Sequence, residues 1–288
     1  MIDTDSLFSR LPFHTVRIEA TLTNGKSSTG TGFFMDYGAG PDNDMATLIT
    51  NKHVIENATS ITFFVHQADA SGNPVLGKSF PVTLDDDTNH WVHHPNPDID
   101  LCALLCKPLI RKIKSTGRQM YYKGFGDKLL PTQQTLEKLL PMEDVIMIGA
   151  PIGLWDNFNN FPLFRRGITA SHPALDFQGK PIGVVDIAAF PGSSGSPILV
   201  ANTEATLSGV DTGVGVRPLL LGILFAGPQF KANGEITIVD IPTTLAPRVT
   251  SEIPAHLGIY IKSRELANMK RLLIDYSQDN GLFLQDHG

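Results

Sequence analysis

The chain has 288 residues, 42% of them hydrophobic and 18% charged, with a formal net charge of −6. That length supports one large domain or two small ones, each with its own core. The acidic balance argues against nucleic-acid binding, which needs a clustered positive surface, and no apolar run nears the ~18 residues of a membrane span. The 26 glycines and 20 prolines point to many turns and short strands, and so to an all-β sandwich or barrel. Residues Met1 to Asp5 are acidic and lack the charged-then-apolar pattern of a signal peptide. Cys102 and Cys106 lie four apart in what reads as one strand, too far for a disulfide. A cytoplasmic protein with reduced thiols is expected, without a cofactor.

In chain order, residues 12–23 alternate as a strand and Thr23-Asn24-Gly25-Lys26 signals a hairpin turn. Ser27 to Met35 is the return strand, where Gly30 and Gly32 suggest a bulge or a bend at a barrel corner. Met45 to Thr50 is the next strand and ends in Thr50-Asn51-Lys52-His53-Val54. Strands follow at Ile61 to His66 and Lys78 to Leu84, and a loop from Trp91 opens into a buried strand at Asp100 to Leu105. Residues 106–143 are rich in Lys and Arg, with a short helix expected at Gln133 to Leu140. This segment reads as a connector whose basic residues form a solvated face. Strands resume at Val145 to Ile148, Arg166 to Ala170, Gly183 to Ile187 and Pro197 to Val200. Three more follow at Leu219 to Phe225, Ile236 to Ile241 and Gly258 to Ile261. Ser263 is placed to cap a last helix from Arg264 to about Tyr276. The expected organisation is a β unit over 1–105, the connector over 106–143, a second β unit over 144–262, and a helix with tail over 263–288.

The chemistry centres on Phe190-Pro191-Gly192-Ser193-Ser194-Gly195-Ser196-Pro197. Ser194 stands between Gly192 and Gly195, which suits a nucleophile on a tight turn with N–H groups aimed at a carbonyl oxygen. The same residues also make an ordinary Gly-Ser-Pro turn, so the company they keep decides. A serine nucleophile needs a base and an orienting acid. His53 is the candidate base, because a strand end lets its ring project into a cleft. Asp100 is the candidate acid, because it opens an apolar run and needs a partner there. Asp98 is its rival, but alternation along a strand would set Asp100 on the face of Cys102 and Leu104. His90, His93 and His94 near Asp85-Asp86-Asp87 make a weak cluster, since adjacent His93 and His94 point opposite ways in an extended chain; no metal is expected.

Three stretches resemble trypsin-like serine proteases: Thr50-Asn51-Lys52-His53-Val54, His94-Pro95-Asn96 before Asp100 to Leu105, and Gly192 to Pro197. Val145 to Gly153, Gly167 to Ser171 and Asp186 to Gly192 are similar, in that order, to the bacterial HtrA-type branch, although no PDZ-like domain is expected after Ile261. The resemblance covers about residues 14–262. It implies two antiparallel six-stranded β-barrels with the site between them, and a C-terminal helix beyond. It also implies roles: Ser194 as nucleophile, His53 as base and then acid, Asp100 orienting His53, and the backbone N–H groups of Gly192 and Ser194 as oxyanion hole. Ser196 stands where the family has a second glycine, and Ser193 where secreted members carry an aspartate that pairs with a newly cut N-terminus.

In the resembled fold one wall of the pocket for the residue before the cut is Ala188-Ala189-Phe190. The other follows Gly222-Ile223-Leu224, and so is Phe225-Ala226-Gly227. Neither wall carries a carboxylate, so small and medium apolar side chains are favoured over Lys or Arg, with Phe225 shortening the pocket. The implied function is serine endopeptidase activity on a protein or peptide substrate. The alternatives are an esterase-like hydrolase and a binding or scaffold protein with a poorly assembled triad.

Overall fold

The computed structural model describes residues 7–38, 44–85, 90–200, 218–235, 248–254 and 256–280. The strand expected at Ile236 to Ile241 and the tail after residue 280 lie outside them. Nine strands form the first sheet: β1 (Thr15–Leu22), β2 (Ser27–Gly38), β3 (Asp44–Thr50), β4 (Ala58–Ala68), β5 (Pro74–Asp85), β6 (Trp91–His93), β7 (Cys102–Leu105), β8 (Met120–Tyr121) and β9 (Phe125–Gly126). Their main path runs β5-β4-β1-β2-β3-β7-β6, with β8 added to β4 and β9 to β2. Gly25, with φ 76°, turns β1 into β2 inside the expected Thr23–Lys26 hairpin.

The second unit is a closed barrel of β10 (Asp144–Gly149), β11 (Leu163–Thr169), β12 (Ile182–Asp186), β13 (Pro197–Val200), β14 (Leu219–Ala226) and β17 (Leu257–Lys262). Between the last two, β15 (Gln229–Glu235) and β16 (Arg248–Pro254) pair as a separate ribbon. Among the described residues, only this half closes as a six-stranded barrel. The first sheet stays open among the described residues, because β5 pairs with β4 alone and three-residue β6 with β7 alone.

Residues 106–143 differ from a bare connector. They carry the helix Lys107–Ser115, the strands β8 and β9, and a one-turn helix Gln133–Leu136 capped by the Thr132 hydroxyl. Arg111, Lys112 and Lys114 are exposed on the outer side of the Lys107–Ser115 helix, whose Ile113 is buried against the core of the first sheet.

The last helix spans Ser263–Asp279; Ser263, expected as its cap, is instead its first residue. Its buried Leu266, Met269 and Leu273 share one core with Phe33 and Ile49 of the first sheet and Ile223 of the barrel. Three polar contacts add to that seam. The Tyr37 hydroxyl donates to the Leu266 carbonyl at 2.7 Å, His94 Nε2 meets Glu265 Oε2 at 3.3 Å, and Lys270 Nζ meets Asp127 Oδ2 at 2.9 Å. The His94 ring is therefore buried on this seam while neighbouring His93 is exposed.

Candidate active site

β3 ends at Thr50, and extended Asn51 leads into the one-turn helix Lys52–Ile55. Val54 and Ile55 are buried in the first core and anchor that turn, which leaves the His53 side chain 43% exposed at its lip. Asp100 presents both carboxylate oxygens to this residue. Oδ1 accepts the His53 backbone N–H at 3.1 Å, and Oδ2 pairs with ring Nδ1. A proton on Nδ1 directed at the carboxylate leaves Nε2 as the free, proton-accepting nitrogen.

Burial alone would push the Asp100 carboxyl up. The hydrogen bond and charge of the His53 ring, with the backbone N–H groups of His53 and Lys52, outweigh that and hold it below its ordinary range. Asp100 is not aimed by strand alternation, since β7 begins only at Cys102. A turn aims it: Ile99 N–H reaches the Asn96 carbonyl at 3.1 Å, Asn51 Nδ2 holds the Asp100 carbonyl at 2.7 Å, and Ile99 is buried as the anchor. The rival Asp98 is exposed.

The Ser194 turn is built by backbone pinning. Ser193 N–H bonds to the Phe190 carbonyl at 3.0 Å, with Pro191 and Gly192 (φ 86°) between them, the pattern of a type II turn. Ile152 N–H takes the Pro191 carbonyl at 2.5 Å, and the Thr31 hydroxyl takes the Gly192 carbonyl at 3.0 Å. A trans peptide points its C=O and N–H in opposite directions. Fixing the Pro191 oxygen toward Ile152 therefore turns the Gly192 N–H the other way. The N–H groups of Gly192 and Ser194 bond to no acceptor among the described residues.

Thr31 N–H also takes the Ser194 carbonyl at 2.8 Å, and the Thr31 carbonyl accepts the Thr50 hydroxyl at 2.8 Å. The turn is thus laced to the strand end that presents His53. The approach is so close that a Cβ on Gly195 would fall 1.8 Å from the Thr31 oxygen. Ser194 Oγ, half-buried, makes no hydrogen bond to His53 among the described residues; such bonds are often long in free enzymes and tighten on substrate. Ser196 has no positive φ, and its buried hydroxyl occupies the space where Gly149 has no Cβ.

Ala189 of one expected wall lies beside Gly227 of the other. A Cβ on Gly227 would sit 2.9 Å from the Leu257 carbonyl oxygen and 3.7 Å from Ala189 Cβ, so the close approach of the Leu257 backbone is what requires glycine there. Ala188, Ala189 and Phe190 are half-buried, and Phe190 meets His256 edge-on with ring centroids 6.2 Å apart. The Phe225 ring, expected to shorten the pocket, is half-buried and packs on the core shared by the sheet, the barrel and the last helix. Ala226 lies half-buried at the end of β14. The loop after β10 buries Trp155, whose Nε1 donates to Asn160 Oδ1 at 3.1 Å, and exposes Phe158.

Sequence reasoning missed Thr31 and Arg165. Thr31 had a weak signal, a small polar residue between two glycines of a strand. Arg165 had none to separate it from adjacent, surface-exposed Arg166.

No protein-family model and no curated protein matches the chain. The structure is similar to that of the Rv3671c protease of M. tuberculosis in its active form, at 16% identity and TM-score 0.46, over 93% of this chain and 83% of that one. It is similar to the HtrA-type protease AlgW solved with a tripeptide, at 16% identity and TM-score 0.48, over 93% of this chain and 62% of that one. The inactive form of the M. tuberculosis protease aligns at 15% identity and TM-score 0.42, over 93% and 89%.

Proposed function

We propose that the chain is a serine endopeptidase of trypsin-like architecture, with the open first sheet in the place of the first barrel. The observation that carries this reading is the lacing of two half-sites through Thr31. It ties the Asp100-paired His53 on one side to a serine turn with two unengaged N–H groups on the other.

In this mechanism Ser194 Oγ attacks the scissile carbonyl carbon while His53 Nε2 takes its proton. The negative charge that develops on the carbonyl oxygen is met by the N–H groups of Gly192 and Ser194, already oriented before substrate arrives. Asp100 stays ionised and stabilises the imidazolium formed on His53. The imidazolium then gives its proton to the leaving amine as the C–N bond breaks, leaving an acyl group on Ser194. Water, deprotonated by His53, attacks that ester and restores the free hydroxyl. The residue before the cut enters a pocket bounded by Ala188-Ala189-Phe190 and Phe225-Ala226-Gly227, whose lack of a carboxylate favours small and medium apolar side chains.

A fluorophosphonate probe and a mixed peptide pool test the proposal. Labelling that Ser194→Ala abolishes, together with cleavage of peptides, is the expected result. Labelling without peptide cleavage would indicate an esterase-like hydrolase. Absence of labelling would indicate a binding or scaffold protein.

A further inference from the structure

Strand β11 carries two adjacent arginines with different surroundings. Arg166 is exposed and pairs with Asp144 at 3.0 Å. Arg165 runs beneath the segment that leads into the Ser194 turn. Its Nη1 donates to the Ala188 carbonyl at 2.5 Å and to Ser193 Oγ at 2.9 Å. That same Ser193 oxygen accepts the Phe190 backbone N–H at 3.3 Å. One guanidinium nitrogen thus fastens the residue at the end of the turn and the segment two residues before its start.

The rest of the guanidinium is poorly provided for. Nε and Nη2 are buried with no hydrogen-bond partner, and no carboxylate pairs with Arg165, among the described residues. Burial draws its pKa down to about 10, which leaves it charged at neutral pH. A buried, uncompensated cation works against folding, and a well-packed apolar side chain of similar length would be better tolerated there. The compensation for that cost is the hold on Ser193, which is fully buried directly before the candidate nucleophile.

We propose that Arg165 is a positioning residue that holds Ser193 from beneath and so keeps the N–H groups of Gly192 and Ser194 converged before substrate binds. This rests on the reading of Ser194 as nucleophile. Arg165 touches no reacting atom; it acts through the hydroxyl of Ser193 and the carbonyl of Ala188. Without it, the Ser193 oxygen keeps only the 3.3 Å bond from Phe190, and the turn loses its anchor on the barrel wall.

The full chain carrying Arg165→Met, Arg165→Lys, Ser193→Ala or Arg165→Met with Ser193→Ala tests this. The readouts are kcat and KM on a cleaved peptide, the fluorophosphonate labelling rate, affinity for a peptide boronate that forms a tetrahedral adduct, and Tm. Arg165→Met should lower kcat, labelling and boronate affinity by about 10–100-fold, within the range seen when an oxyanion contact is lost. KM should move little and Tm should hold or rise. Arg165→Lys, which keeps a cation under Ser193, should recover most of the rate. Ser193→Ala should share the defect, and the double variant should be no worse than Arg165→Met alone.

Wild-type kcat and boronate affinity in Arg165→Met would overturn the proposal. So would a rate loss that only tracks a fall in Tm. If Arg165→Met does not fold, Ser193→Ala decides, and a wild-type rate there overturns it. A wild-type chain that fails to label would instead overturn the parent reading, and this inference with it.

Discussion

The Thr31 hydroxyl donates to the carbonyl of Gly192 at 3.0 Å, so a side chain of the first sheet sets the geometry of a turn in the barrel. The same oxygen accepts the Ala150 N–H at 3.1 Å, and the residue is fully buried. Thr31→Val keeps the shape and removes both contacts. Each unsatisfied buried group costs about 1–3 kcal/mol, so Tm should fall by several degrees and fluorophosphonate labelling should slow. Thr31→Ser, which keeps the hydroxyl, should stay near wild type. An unimpaired labelling rate in Thr31→Val would show that the turn is held without it.

Ser194→Ala should lower kcat by about 10⁶-fold and Asp100→Asn by about 10⁴-fold, the scale of such losses in other serine proteases. Asp98→Asn should change kcat by less than about twofold, because Asp98 is exposed and only Asp100 reaches His53. A crippled Asp98→Asn beside a healthy Asp100→Asn would reassign the orienting acid.

Mass spectrometry of a digested peptide pool should show cutting after Ala, Val or Leu. Burying a Lys or Arg head against the Ala188–Phe190 and Phe225–Gly227 walls would desolvate a charge with no carboxylate on either. Predominant cutting after Lys or Arg would place the pocket elsewhere.

Burial lowers the pKa of both His14 and His66 from 6.5 to about 4, against weaker opposing backbone hydrogen bonds. Between those values the folded protein keeps both rings neutral while the unfolded chain protonates them. The unfolded state then binds more protons, so stability falls as pH drops from 6.5 toward 4. The loss approaches about 3 kcal/mol per ring. His66→Phe should flatten the dependence of Tm on pH over this window, since the ring already packs among Phe13 and Phe161. A Tm profile equally steep in the variant would assign the acid sensitivity to other groups.

Ser193 offers no carboxylate to a newly exposed N-terminal amine, and its hydroxyl is already occupied by Arg165. Activity should therefore be the same before and after trimming at the N-terminus. A many-fold rise on removing an N-terminal segment would contradict this.

The strands and turns were largely legible in the sequence because they follow local rules. The Gly25 turn, the strand ending at Thr50 and the unusual setting of Asp100 before an apolar run could all be read from neighbours in the chain. The means of aiming Asp100 could not, because it depends on Asn51, 49 residues away, rather than on strand alternation. Arg165 was invisible and Thr31 only faintly marked for the same reason: their partners lie 28 and 161 residues distant, and no local pattern encodes such a meeting. Closure of the first sheet was also beyond reach, because composition and alternation predict that strands exist without saying whether the outermost two will meet.

The core beneath the helix Ser263–Asp279 has a consequence for cooperativity. It draws its residues from the sheet, the barrel and the helix at once, and so couples the two halves, each of which also has a core of its own. Heating should give a single calorimetric transition, and a chain divided near residue 143 should not yield two separately folded pieces. A substitution that opens this core, such as Leu266→Ala, should therefore loosen the sheet and the barrel together, although the helix touches neither His53 nor Ser194.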